Sequence, residues 1–207
     1  MNFLAHCALA QDAGEIWQLD QEHITGLLAG ALIGDFVKGP IPLEWPQPLR
    51  IGVQVHRKID ANSNQDPFGK ACSNRFPQSL RRFAPIFVDL IADHHLCSNW
   101  QSHYPHRSLD LFAQRCYAAI AYYETYLGDQ GSRFFSYMQD ENLLCHYDQW
   151  AHVERGLHSV MRRLNRRELS QQVVNTCIEV LDDCQADCGA LHHQLQQHWH
   201  VWQPDGI

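Results

Sequence analysis

Between Gln21 and Lys38 glycine returns at every fourth position, as Gly26, Gly30 and Gly34. In an α-helix, residues four apart lie one above the other, so these three reduce one face to bare backbone. Such a stripe lets a second helix approach until main chain meets main chain. It reads as a packing surface and not as a membrane contact. The apolar run from Ile24 to Val37 contains Thr25 and Asp35 and is too short to cross a bilayer. Gly39-Pro40 stops the segment. Helix-on-helix packing therefore frames what the rest of the chain can become.

The remaining periodicity agrees with that frame. Residues 2–11 predict a short helix with Phe3, Leu4, Cys7 and Ala8 on one side. A loop holding Pro40, Pro42, Pro46, Pro48 and Trp45 leads to residues 49–61. There Ile51, Val53 and Val55 alternate briefly as a strand would, but Val55, Ile59 and the His56/Asp60 pair follow a helical period. Residues 62–77 read as a loop with room for one turn of helix. A central helix starts at Gln78 or at Pro85 and ends by Pro105. Ser108 is the N-cap of a helix that Gly128 closes, and amphipathic segments cover 132–147, 149–164 and 168–202. Nothing reads as a sheet, so the expected fold class is all-α, a single-domain helical bundle over residues 1–207.

Composition narrows the functional classes. Hydrophobic residues make up 45% and charged residues 19%, which excludes a disordered chain. A formal net charge of -7 argues against general affinity for nucleic acid. Ala8-Leu9-Ala10 mimics a signal-peptide cleavage site, but no Lys or Arg precedes Lys38 and His6 interrupts the apolar run. The expectation is a cytoplasmic protein with no membrane partner. Its eight cysteines lie in helical-looking sequence, as buried or free thiols of a reducing compartment would.

Residues 89–100 carry the most chemistry. Asp89 and Asp93 share a helix face, with His94 and His95 beside them, among Phe87, Val88, Leu90, Ile91, Leu96 and Trp100. Two acids and two histidines in such company are too polar to serve packing alone, and a metal would explain them. His6, Asp35, His56 and Asp60 also fall on apolar helix faces. Taken singly, each reads as a cap, an ion pair or a hydrogen-bonded core histidine. As a set, imidazoles and carboxylates suit Mn²⁺, Mg²⁺ or Fe²⁺, donated by several helices of a bundle. A rival set, Cys184, Cys188 and His192, lies at successive turns of one helix. Donors along one helix surround an ion poorly, so a buried thiol stripe is the preferred reading there over structural zinc.

Four blocks, in order, now matter together: Met1-Asn-Phe-Leu-Ala-His6, Gly34-Asp35-Phe36-Val37-Lys38-Gly39, His56-Arg57-Lys58-Ile59-Asp60, and Asp89-x-x-x-Asp93-His94-x-Leu96-x-x-x-Trp100. In them the chain resembles the acyl carrier protein phosphodiesterases, also called acyl carrier protein hydrolases. The resemblance is strong over residues 1–105 and weaker beyond, where Glu154-Arg155-Gly156-Leu157 and Arg162-Arg163-Leu164 follow the family in pattern more than in identity. It implies a divergent all-helical relative of the HD-domain metal phosphohydrolases. Members of this family use a divalent cation, typically Mn²⁺, to cleave the phosphodiester between 4′-phosphopantetheine and a serine of holo acyl carrier protein. Carried over by position, His6, Asp35, His56, Asp60 and Asp93 are metal-site residues, with Asp89 and His94 beside or among them. The His-Asp dipeptide of ordinary HD domains is absent here, the order being Asp93-His94.

The chemistry suits the assignment. A phosphodiester anion repels nucleophiles, and a cation that neutralises its oxygens and activates water meets that obstacle. Serine alkoxide leaves poorly without a proton or a positive charge, which His94 or His95 as general acid, or Arg57 as a clamp, would supply. Arg57, Lys58, Arg81 and Arg82 are the basic residues expected to dock an acidic carrier, with a further cluster at Arg162, Arg163, Arg166 and Arg167. An HD-type hydrolase of nucleotides, or a helical binding module without catalysis, would fit many of the same residues. The reading requires Asp35, His56 and Asp93 to converge.

Overall fold

In the computed structural model, which describes residues 2–205 and residue 207, the glycine stripe lies at the centre of an all-α fold with no strand among the described residues. Met1, which opens the first sequence block, lies outside them. The stripe belongs to α2 (Gln21–Ile33), begun by Asp20, whose carboxylate accepts from the His23 amide at 2.9 Å. Against it runs α3 (Gln47–Gln65). A Cβ on Gly30 would stand 2.5 Å from the Gly52 Cα, and one on Gly52 would stand 2.9 Å from the Gly30 Cα. Carbon atoms in ordinary contact keep about 3.5–4.0 Å, so only glycine fits on either side. Gly52 is the reciprocal half of the contact. Gly34 behaves differently: a Cβ there would stand 2.5 Å from His56 Cδ2, so the last glycine of the stripe seats an imidazole.

Helix α1 (Phe3–Ile16) packs on α2 and is buried continuously from Leu4 to Gly14. It outruns the expected residues 2–11 because Gln11 and Asp12, polar in sequence, are buried with partners: Asp12 accepts from the Tyr104 hydroxyl at 2.6 Å. Asp66 and Pro67 then start α4 (Pro67–Asn74), where sequence periodicity had predicted a loop. The Asp66 carboxylate accepts from the Phe68 amide at 2.8 Å, and proline is tolerated in the first turn, where its nitrogen has no hydrogen to lose. Of the two expected starts for α5 (Ala84–Ser98), the one at Pro85 is correct. The chain continues through α6 (Trp100–His103), α7 (Leu109–Tyr122), α8 (Gly128–Asp140), α9 (Trp150–Arg163) and α10 (Ser170–His198). The expected 132–147 segment is broken by Asn142 in the left-handed region, φ 44°.

One buried cluster draws residues from all ten helices. Helix α10 closes the bundle by packing on α4, α5 and α9. At its end, Trp199 accepts through its carbonyl from the Trp17 indole at 3.0 Å, and Trp202 carries the Lys58 ammonium 5.2 Å from its ring centroid. All eight cysteines are free thiols, with Cys184 and Cys188 buried as the thiol-stripe reading expected. Among the described residues no helix is long and apolar enough to cross a membrane.

Candidate metal centre

His6 on α1 meets His56 and Asp60 on α3, and among the described residues these three alone bring metal-type ligand atoms within 4.8 Å of one another. The two imidazoles stack with centroids 4.4 Å apart. His56 and Asp60 are one helical turn apart, which puts them on one face. His6 arrives on that face because α1 crosses both α2 and α3.

Backbone carbonyls aim both rings. His6 Nδ1 lies 2.8 Å from the Asn2 carbonyl, and His56 Nδ1 lies 2.9 Å from the Ala31 carbonyl. A carbonyl only accepts, so Nδ1 carries the hydrogen in each ring and Nε2 is the remaining nitrogen. Both Nε2 atoms face the Asp60 carboxylate, at 3.1 Å from His6 and 3.3 Å from His56. Two imidazole Nε2 atoms converge on one carboxylate, a place where positive charge is stabilised, whether as a proton on an imidazole or as a bound cation. This is the donor set and the outer hydrogen bonding that imidazole-bound metals use, so the residues fit a divalent cation.

The electrostatics agree. Burial, helped by the nearby His56, lowers the pKa of His6 and favours the neutral imidazole. Burial also pulls His56 down, but its hydrogen bond to Asp60 and the charges of Asp35 and Asp60 outweigh it, and the net shift is upward. For Asp60, burial pushes up, yet the hydrogen bonds and charges of the two histidines win, leaving the carboxyl well below its usual range. The Asp60 side chain is 45% exposed, so the centre opens to solvent through this residue.

The other expected site residues are distributed around this triad. Asp35 is exposed, directly after the glycine on which the His56 ring rests, and its charge acts on His56. Asp89 acts through its charge on the same group, for its own pKa responds to His6 and Asp60 after the dominant effect of burial, which raises it. Asp93 is placed otherwise than expected. Fully buried, it accepts from the amides of Leu4 at 2.8 Å and Ala5 at 3.0 Å, and burial pushes its pKa up to about 7. A carboxylate there satisfies amides of the first turn of α1 and meets the positive end of its dipole, which holds the helix that carries His6. Asp93 thus reaches the triad through α1 and stands outside the group of converging donors.

The three residues expected to be catalytic are placed as follows. His94 Nδ1 is bonded to the Tyr147 carbonyl at 2.7 Å and its ring meets Trp150 edge-on. His95 faces His103, with centroids 5.7 Å apart, and with His94 lines a separate cavity of about 120 Å³. The structure brings neither to the triad. Arg57 donates to the carbonyls of Val37 at 3.2 Å and Gly39 at 2.6 Å, which ties α3 to the segment behind Asp35. Of the docking residues, Lys58 is half-buried over Trp202, while Arg81 and Arg82 are exposed. Arg81 also donates to the Asn74 and Phe76 carbonyls, each at 3.2 Å. The carbonyls of Asn2 and Ala31, which orient the two imidazoles, had no signal in the sequence, because every residue carries one.

A family model described as acyl carrier protein phosphodiesterase matches residues 1–199. A Photorhabdus laumondii protein named acyl carrier protein phosphodiesterase is 27% identical over 195 residues, covering 94% of this chain and 91% of the relative. A Salmonella dublin protein of the same name is 28% identical over 206 residues, 98% of this chain and 94% of the relative. The match therefore runs through the C-terminal half, where the sequence blocks thin out. No solved structure matches the chain.

Proposed function

The chain belongs to the acyl carrier protein phosphodiesterase family, and from that premise we propose that it hydrolyses the phosphodiester joining 4′-phosphopantetheine to a serine of holo acyl carrier protein. The products are apo carrier protein and 4′-phosphopantetheine. His6, His56 and Asp60 would hold the divalent cation that the reaction uses, Mn²⁺ first and Fe²⁺ or Mg²⁺ as alternatives, with Asp35 as a further carboxylate beside His56. The observation that carries this reading is the convergence of two carbonyl-oriented Nε2 atoms on the Asp60 carboxylate, 3.1 and 3.3 Å away.

A divalent cation bound there supplies charge neutralisation for the phosphodiester oxygens and activation of water. The chain's own residues do the rest. The Asn2 and Ala31 carbonyls keep both imidazoles turned inward, and Asp93 ties the first turn of α1, which carries His6, to α5. The serine oxygen leaves as an alcohol only if it gains a proton. Asp89 is proposed for that role: its charge is felt by His6 and Asp60, and burial raises its pKa. Kinship to the HD-domain phosphohydrolases is part of the same proposal, supported by imidazole and carboxylate side chains brought together from two helices, α1 and α3, of an all-α fold.

The test is mass spectrometry of holo carrier protein incubated with the purified enzyme and Mn²⁺. Loss of the phosphopantetheine mass is expected, abolished by chelation and restored by added metal. A holo carrier left intact with Mn²⁺, Fe²⁺ and Mg²⁺ alike overturns the proposal.

A further inference from the structure

One turn beyond Asp60, the ends of α3, α4 and α5 enclose a cleft of about 220 Å³. Ser63 and Asn64 stand on its α3 wall, three and four residues after Asp60 and hence on the same helix face. The α4 wall presents Lys70, Ser73 and Asn74, and α5 presents Asp89, whose charge acts on His6 and Asp60. The cleft therefore starts where the candidate metal centre ends. It exists because residues 67–74 form a helix: Gly69 lies so close to α3 that a Cβ would stand 2.8 Å from the Ser63 carbonyl oxygen.

Resting on the function proposed above, we infer that this cleft holds the pantetheine chain of the substrate while its phosphodiester lies at His6, His56 and Asp60. Pantetheine is a narrow uncharged chain of amides and hydroxyls with a pair of methyl groups. It needs groups that both donate and accept, spaced by small apolar contacts. Ser73, Asn64 and Asn74 each do both, and Val88 and Leu191 supply apolar wall. The volume lies below the roughly 300–1,000 Å³ usual for drug-sized ligands, which favours a chain over a ring system. A nucleotide would ask for a stacking surface and several cations. Among the described residues no aromatic side chain lines the cleft, and Lys70, exposed and without an ion-pair partner, is its one cationic wall residue.

The experiment narrows the cleft from opposite walls with Ser73→Trp and Asn64→Trp and measures turnover of holo carrier protein with Mn²⁺, together with inhibition by free pantetheine. Asn64 is exposed, so its variant keeps the test valid should Ser73→Trp not fold. In each folded variant KM should rise roughly tenfold or more with kcat within about twofold, as loss of uniform binding predicts. Pantetheine should inhibit the wild type competitively and the variants at least roughly tenfold more weakly. If the wild type releases phosphopantetheine but KM and pantetheine inhibition are unmoved in the folded variants, or if pantetheine fails to inhibit the wild type, the cleft assignment falls and the function stands. A wild type that leaves holo carrier intact overturns both.

Discussion

Helix α1 serves two buried polar clusters, and comparing them shows what singles out one of them as the candidate metal centre. Its first half delivers His6 to His56 and Asp60. Its second half delivers Asp12 to Tyr104, Arg107, His192 and Gln196. Both clusters consist of a carboxylate, histidine and hydrogen-bonding neighbours. At Asp12 the partners are complete: Tyr104 donates at 2.6 Å, Gln196 at 2.8 Å and the Arg107 guanidinium at 3.1 Å. The Tyr104 hydroxyl, whose hydrogen goes to Asp12, is left to accept from His192 Nε2 at 2.8 Å. At Asp60 no arginine or lysine arrives among the described residues, and two histidine nitrogens converge instead. The Asp12 side chain is 10% exposed against 45% for Asp60. The Asp12 cluster takes its positive charge from Arg107, while the Asp60 cluster has only its two imidazoles and, in the function proposed above, a bound cation. A list of residue types does not separate the two; the source of the counter-charge does.

The strongest way to break this comparison is to remove each carboxylate in turn. Asp60→Ala should lower phosphopantetheine release by about 100-fold or more while the helical circular dichroism spectrum persists. Asp12→Asn should leave kcat within about threefold and lower stability by roughly 1–3 kcal/mol, since Tyr104 and Arg107 lose a charged acceptor. The opposite pattern would place the chemistry at the wrong end of α1. A second substitution sharpens the point without touching a ligand atom. In Gly34→Ala the new methyl meets the His56 ring, so stability should fall by about 1–3 kcal/mol and Mn²⁺ affinity should weaken, as calorimetry would show. Unchanged Mn²⁺ binding would mean that His56 is not a ligand.

Asp93→Ala comes next. It strips acceptors from two amides of α1, and urea unfolding should show a loss of about 2 kcal/mol, with Asp93→Asn losing less because one oxygen remains. Equal effects in the two variants would show that the amides are not the reason for this residue.

A further test is the pH dependence of the Asp12 cluster. Burial, with His103 and His95 nearby, lowers the pKa of His192 to about 3. The unfolded chain takes up a proton near pH 6.5 that the folded chain accepts only near 3. Stability from this residue is therefore complete above about pH 6.5 and declines as pH falls toward 3, by up to about 1.4 kcal/mol per unit. Asp12, raised by burial, works in the opposite sense, losing stability as pH rises from its unfolded value. His192→Gln should flatten the slope of unfolding free energy between pH 6 and 4; an unaltered slope would show that His192 does not hold its proton off.

Much of the fold is legible because helix periodicity and caps are local. The glycine stripe predicted close packing by a second helix, and Asp20, Ser108 and Pro85 behave at helix starts as their chemistry dictates. Helix α4 escaped although its Asp66-Pro67 start is written in the sequence, because eight residues show too little period to stand out from a loop. Within the site, the His56/Asp60 pair was readable from its spacing, while its meeting with His6 depends on α1 crossing α3 and has no local signature. Asp93 shows the limit of reading side chains alone. A carboxylate that clamps the amides of another helix and one that binds a metal look identical in sequence, and only the amides of Leu4 and Ala5 tell them apart.

The indoles at the end of α10 offer a practical return. Trp17, Trp199 and Trp202 lie with ring centroids within 6.0 Å of one another, and Lys58, two residues from both His56 and Asp60, sits over Trp202. Any shift of α3 on loading the His56 and Asp60 side chains moves an ammonium across a fluorophore. Under the proposed function, indole emission therefore offers a label-free readout of cation binding, measurable in a cuvette.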